Sequence, residues 1–177
     1  MKTLDRNSNR PAESSEKKVY TAVLLGSMAW CIAIFLPPLL MRTGGARPAF
    51  LIRLFFAPIC HQSADRSFMI GGVPLAVCAR CTGIYLGFLA GVLAIPLIRK
   101  NRFIQRAWPQ RNYRTMLLAG AALMGMEFLL THSVLPPLGL WRALSGIWFG
   151  VVMAVLTLIS LFELQGRQHL TKRNQNG

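Results

Sequence analysis

The sequence predicts an all-α fold: a polytopic helical bundle in a membrane, with four transmembrane helices and one short re-entrant or interfacial helix. Three observations lead there. Of 177 residues, 53% are hydrophobic. Four apolar runs are close to the length, about 20 residues, that crosses the hydrocarbon of a bilayer. The 20 Lys and Arg, set against 6 Asp and Glu, lie in short segments beside those runs. The net charge of +14 therefore reads as membrane orientation and not as nucleic-acid binding, for which the chain has neither a basic-aromatic motif nor a soluble domain of useful size. The lipid bilayer is the expected partner.

Residues 1–18 mix Lys2, Asp5, Arg6, Arg10, Glu13, Glu16, Lys17 and Lys18 and read as a disordered cytoplasmic tail. The apolar run 19–41 is too long for a signal-peptide core and ends without a small-x-small cleavage site, so it reads as a retained first span. Pro37 and Pro38 are expected to distort or end it. Cys31, mid-span with no polar neighbour, reads as a packing residue. After a Gly-Gly turn, AFLIRLFFAPIC (49–60) is too short to cross and carries Arg53, which predicts a re-entrant or interfacial helix broken by Pro58. A further crossing through 69–77 would draw Asp65 and Arg66 into the bilayer, at high cost.

The second span, 81–98, carries Gly83, Gly87 and Gly91 four residues apart on one helical face. Such a stripe lets another helix approach closely. The fourth span, 142–164, has Gly146, Gly150 and Ala154 at the same spacing and is the expected partner; the same stripes would also suit a homo-oligomer. Between spans two and three, RKNRFIQRAWPQRNYR holds six basic residues and no acid, with Trp108 and Tyr113 suited to the headgroup zone. The third span, 115–131, ends near Glu127, and a short connection containing Pro136 and Pro137 makes it an antiparallel neighbour of the fourth. Residues 165–177 form a basic cytoplasmic tail.

Charge asymmetry then sets the topology. The two tails and the basic loop together hold 14 Lys and Arg, against 6 in the other connections and their edges. Both termini are expected in the cytoplasm, and the loop from Cys60 to Cys81 outside.

That outward loop carries the candidate chemistry. Cys60 and His61 close the short apolar run, Cys78 and Cys81 open the second span, and the residues between them are few enough for the two halves to meet. Three outward cysteines are an odd number in an oxidising setting. Either one thiol stays free, or a metal holds them together as thiolates. In the metal reading Cys78 and Cys81, at i and i+3, converge on one ion, and Cys60 with His61, or His132 from across the bundle, completes a set for zinc or another soft transition metal. Adjacent residues such as Cys60 and His61 do not easily share an ion, so one of them serves elsewhere. In the redox reading the helix dipole and Arg80 lower the thiol pKa values, and the protein is a thiol-disulfide oxidoreductase passing electrons to a quinone or a thiol partner. A structural disulfide is a third reading.

A second polar group lies later in the chain. Glu127 and Arg142 fall at similar depth in the hairpin of spans three and four, where an ion pair is the plain interpretation. A sharper one adds His132, Arg66 and Tyr85 to form a polar pocket beside the cysteines. Separately, Glu127 and Arg142 in the bundle are the basis for reading a small-solute transporter or channel. No internal repeat supports that class.

The runs CHQ (Cys60 to Gln62), RSF (Arg66 to Phe68) and CARCTGIYLG (Cys78 to Gly87) resemble the predicted multi-pass membrane proteins of prokaryotes grouped as domain of unknown function 2085. Arg142, Ser145, Gly146 and Gly150 are similar to that family's Arg-x-x-(Thr/Ser)-Gly segment, and Glu127 stands where an acid, usually aspartate, is expected. The resemblance implies the helical membrane fold, singles out these residues and supplies no reaction. It also implies a prokaryotic setting, and the expected location is the inner membrane of a bacterial cell.

Overall fold

The structure, a computed structural model, describes residues 10–100 and 139–175, and eight helical positions of the stretch between: Thr115, Leu118, Ala119, Ala121, Ala122, Gly125, Met126 and Leu129. Helix α1 spans Arg10–Arg42 and α2 Ala46–Phe56; a hairpin of β1 (Met69–Ile70) and β2 (Val73–Pro74) follows; α3 spans Ala79–Lys100 and α4 Gly139–Gln175. Among the described residues, three stretches are long and apolar enough to cross a membrane: Glu16–Arg42, Ala79–Leu97 and Gly139–Leu158. The basic loop 101–114 and most of the expected third span, with Glu127, and the connection with His132, lie outside the described residues.

The structure refines three expectations. Residues 10–18 are helical and continue into the first span, where Glu13, Glu16, Lys17 and Lys18 are all tolerated by a helix. The fold is mostly helical as expected, with one small addition, a hairpin in which Ile70 pairs with Val73 across Gly71 and Gly72. Both glycines have positive φ, 61° and 79°, as a two-residue turn matched to strand twist requires.

Pro37 and Pro38, expected to distort or end α1, do not end it. The helix runs on to Arg42. It ends in a Schellman motif, with Gly44 at φ 80° and the Gly45 N–H donating to Leu40 O at 2.8 Å. Pro38 has no N–H to offer Ile34, four residues back. The carbonyl of Ile34, a residue buried to 1% exposure, accepts instead from the Ala76 N–H at 3.2 Å. A helix defect thus becomes an anchor for the segment leading into α3. In Pro38→Ala the restored N–H competes for Ile34 O; hydrogen exchange at Ala76 is expected to rise by about tenfold, the loss of one net hydrogen bond.

Among the described residues, α3 and α4 share the most extensive contact. A side chain at Gly83 would collide with the Ala143 backbone, at Gly87 with Ile147, at Gly146 with Arg80 and at Gly150 with Ile84, while a Cβ at Gly91 would lie 2.7 Å from the Ala154 methyl. Contacts that advance together along both helices mean that α3 and α4 run parallel. Their amino termini open at one mouth, where a side chain on Gly139 would touch Ala79 and Phe68. All five glycines are buried within one chain. The stripes therefore have no free face for a second copy, which corrects their use in a homo-oligomer. Without a hydrophobic drive between helices in lipid, such close backbone contact is the main attraction available. Helix α1 lies against both partners, with Tyr20 donating to Val92 O at 3.3 Å.

Candidate functional site

Each cysteine of the mouth is held by a local device. Helix α2 ends at Phe56, whose carbonyl accepts from the N–H groups of both Ile59 (3.1 Å) and Cys60 (3.0 Å), turning the chain so that Cys60 enters the core at 6% exposure. Gln62 takes a left-handed conformation, φ 50°, and its side-chain amide donates to Arg53 O at 2.5 Å. The Ala57 N–H has turned to Leu54 O, so Gln62 supplies the donor that the helix no longer gives Arg53. Arg53 in turn reaches Pro74 O on β2 through Nη1, at 3.4 Å. Leu75, Ala76 and Val77 are fully buried and deliver Cys78 to the head of α3. There the Thr82 N–H and hydroxyl both donate to Cys78 O, at 2.9 and 3.1 Å, so Cys78 caps the helix and Cys81 sits three positions on.

The result is a cluster of three thiols. The sulfurs of Cys60, Cys78 and Cys81 lie within 4.8 Å of one another, and all are free of disulfides. The Cys78 N–H donates to Cys60 Sγ at 3.2 Å. Hydrogen bonds from the Cys78 side chain first, and then from Cys81, hold the Cys60 thiol well below its ordinary pKa, against the opposing effect of burial. The amino-terminal end of α3 adds positive potential at the same point.

A tetrahedral zinc site with bonds of about 2.3 Å holds its sulfurs about 3.8 Å apart. Sulfurs within 4.8 Å reach that spacing by side-chain rotation, so the set fits a soft metal ion.

The other expected site residues divide. His61 is exposed, although Cys60 beside it is buried. Arg66 is exposed on a single 3-10 turn, Ala64–Arg66. Neither joins the thiols. Tyr85 is half-buried one turn after Cys81 and packs against their cluster. Arg80 lies on the first turn of α3, and its carbonyl meets Gly146. Arg142 is buried at 9% exposure on the first turn of α4, with no hydrogen-bond partner for its Nε among the described residues. Cys31 is buried and its thiol donates to Tyr85 O at 3.6 Å, a packing role.

Sequence reading missed Trp30. Its ring meets Phe56 edge-on with centroids 5.2 Å apart and stands 5.8 Å from Tyr85, walling the thiol cluster from inside the bundle. The available signal was its place mid-span, since tryptophan in membrane helices favours the two interfaces.

Comparison with known proteins agrees with this centre of gravity. Residues 60–156, more than half the chain, match the family described as predicted membrane protein (DUF2085). The chain belongs to this family. The matched region begins at Cys60 and takes in the thiol cluster, α3 and most of the α3–α4 contact. An uncharacterised protein of Methanocaldococcus jannaschii is 38% identical over 89 residues, 48% of this chain and 57% of its own. Another, of Methanothermobacter thermautotrophicus, is 46% identical over 37 residues, 21% of this chain and 33% of its own. The chain thus spans between a third and about three fifths of these relatives. No solved structure matches.

Proposed function

We propose that this membrane protein binds a soft transition metal, zinc foremost, through Cys60, Cys78 and Cys81 at the outward mouth of its bundle. The observation that carries this reading is the convergence of three unbonded sulfurs from two separate segments. The ion would tie the end of α2 to the head of α3, closing a loop that contains the hairpin, and would satisfy thiolates that burial otherwise penalises. Elemental analysis of the protein purified in mild detergent tests it: about one metal per chain is expected. Metal-free wild type would end the reading.

The proposed setting is an inner membrane, with both termini cytoplasmic and the residues 115–131 supplying a fourth span. Asymmetry of Lys and Arg supports it. Helix α2 supports it too, since Phe50, Leu51, Leu54 and Phe55 form an exposed apolar stripe suited to lying against lipid. An impermeant maleimide applied to intact cells is expected to label Cys60, Cys78 or Cys81 only after a chelator has been added. Labelling that needs permeabilised cells would invert the topology; labelling without chelator would favour reduced, exchanging thiols.

Thiol-disulfide exchange is the second reading, favoured by three unbonded sulfurs within 4.8 Å of one another. It predicts thiols that cycle between alkylatable and disulfide-bonded states with no bound metal.

A further inference from the structure

We propose that the groove between the end of α1, the start of α2 and the hairpin holds the headgroup phosphate of an anionic phospholipid, gripped by Arg53 and Arg42. The groove has a volume of about 480 Å³, within the range that takes a small ligand. Pro37 and Ala49, both buried, give it a floor. Among the described residues that line it, only Arg53 is charged. Arg53 is half-buried and donates to Pro74 O through Nη1 at 3.4 Å, one of the five N–H donors that a guanidinium carries.

Arg42 stands at the rim. It follows Met41, which lines the groove, and a Cβ added to Gly71 would meet its guanidinium, beside Gly72 of the same lining. Among the described residues no carboxylate pairs with either arginine. The sequence itself offers little choice: between Glu16 and Glu127 the single acid is Asp65, exposed on the 3-10 turn. Two guanidinium groups at one groove, with no acid to neutralise them, favour an oxygen anion that can accept from both.

Depth and walls then decide which anion. Arg42 closes the span Glu16–Arg42, so the groove lies where hydrocarbon gives way to headgroups. Met41, Phe50, Val73 and Pro74 of the lining are apolar and offer a hydrated inorganic ion nothing. Phe50 also belongs to the exposed stripe of α2 with Leu51, Leu54 and Phe55. A phospholipid uses all of these features: its phosphate accepts from the arginines, its glycerol fills the groove, and its tails continue over Phe50 onto the stripe. A lipid with net negative charge suits two cations better than a zwitterionic one, whose own cation would enter the same place. The site is separate from the thiols, so it stands whether or not they hold a metal.

Arg42 gives the cleaner variant, because its guanidinium makes no hydrogen bond among the described residues, whereas Arg53 also braces β2. The full chain, delipidated in mild detergent, is titrated with dioleoyl phosphatidylglycerol, and bound lipid is counted by native mass spectrometry. Wild type is expected to hold one lipid at a saturable site and to bind phosphatidylcholine more weakly. Arg42→Gln and Arg53→Gln should each weaken phosphatidylglycerol binding about tenfold, the loss of one charge-assisted hydrogen bond. Arg66→Gln, at an exposed arginine outside the groove, should bind as wild type does. Circular dichroism and metal content should match wild type in Arg42→Gln, which separates loss of this site from loss of the thiol centre. Unchanged binding in Arg42→Gln, an equal loss in Arg66→Gln, or displacement of the lipid by inorganic phosphate would overturn the proposal.

Discussion

Cys60→Ser is expected to leave the protein in the membrane and strip it of metal. Cys78 and Cys81 stand on the opening turn of one helix and can chelate by themselves, but only weakly. Cys60 arrives from the end of α2, so the third sulfur is the one that makes the site a cross-link between segments. Serine preserves the size of the side chain and replaces a soft, ionisable ligand with a hard, neutral one. If each thiolate carries a share of the binding energy usual for structural zinc, its loss costs about 3 kcal/mol or more, a weakening of at least about 100-fold. Metal measured after dialysis should fall from about one per chain to near zero. Two controls sharpen the result. His61→Ala should keep its metal, because that imidazole is exposed and apart from the sulfurs. Cys31→Ser should keep it as well, since Cys31 is engaged with Tyr85 O. If His61→Ala loses metal as completely as Cys60→Ser, the three-sulfur centre is the wrong assignment. Affinity should also fall as pH falls, because thiol protons must leave before the metal binds.

The second large effect is expected at Gly150. A Cβ there would strike the Ile84 carbonyl, and at Gly87 the Ile147 backbone. No rotamer relieves a collision with main-chain atoms, so α3 and α4 must separate or slide. Gly150→Leu should cost about 3 kcal/mol or more, the upper range for overpacking of a rigid contact. In detergent this would be read as a lower melting temperature or loss of the folded monomer. Gly26→Leu is the control: also a glycine in a span, but with open space at its Cβ, and it should tolerate the change with little loss. Because α3 and α4 open at the mouth, Gly150→Leu should also loosen metal binding at a distance. Equal stability of the two variants would mean that the parallel glycine contact is not what holds the bundle together.

Much of this architecture is legible in the chain. Apolar length and charge placement point to helices that cross a membrane, because the cost of burying unpaired charge and backbone leaves few other solutions. The spacing of Gly83, Gly87 and Gly91 and of Gly146 and Gly150 is a local pattern with a direct steric meaning, so the pairing of these two helices follows from spacing alone. Cys78 and Cys81 likewise follow from helical period. Harder to read is the hairpin at Gly71 and Gly72: two residues per strand are too few for an alternating pattern to stand out. The continuation of α1 beyond Pro38 is also hidden, since it depends on the Ile34 carbonyl finding a donor in a distant part of the chain, at Ala76.

By itself, then, the sequence determined the helical membrane class, the loop that carries three cysteines and the close approach of two glycine-striped helices, all of which follow from periodicity, length and charge along a single segment. Tertiary structure alone decided which side chains converge. It buried Cys60 and left His61 exposed, gave Gln62 the work of capping α2, and set Trp30 against the thiol cluster. The reason is physical: neighbouring residues differ in direction by the local backbone angles, and those angles were fixed here by contacts between α2, the hairpin and α1 that no single stretch of the chain contains.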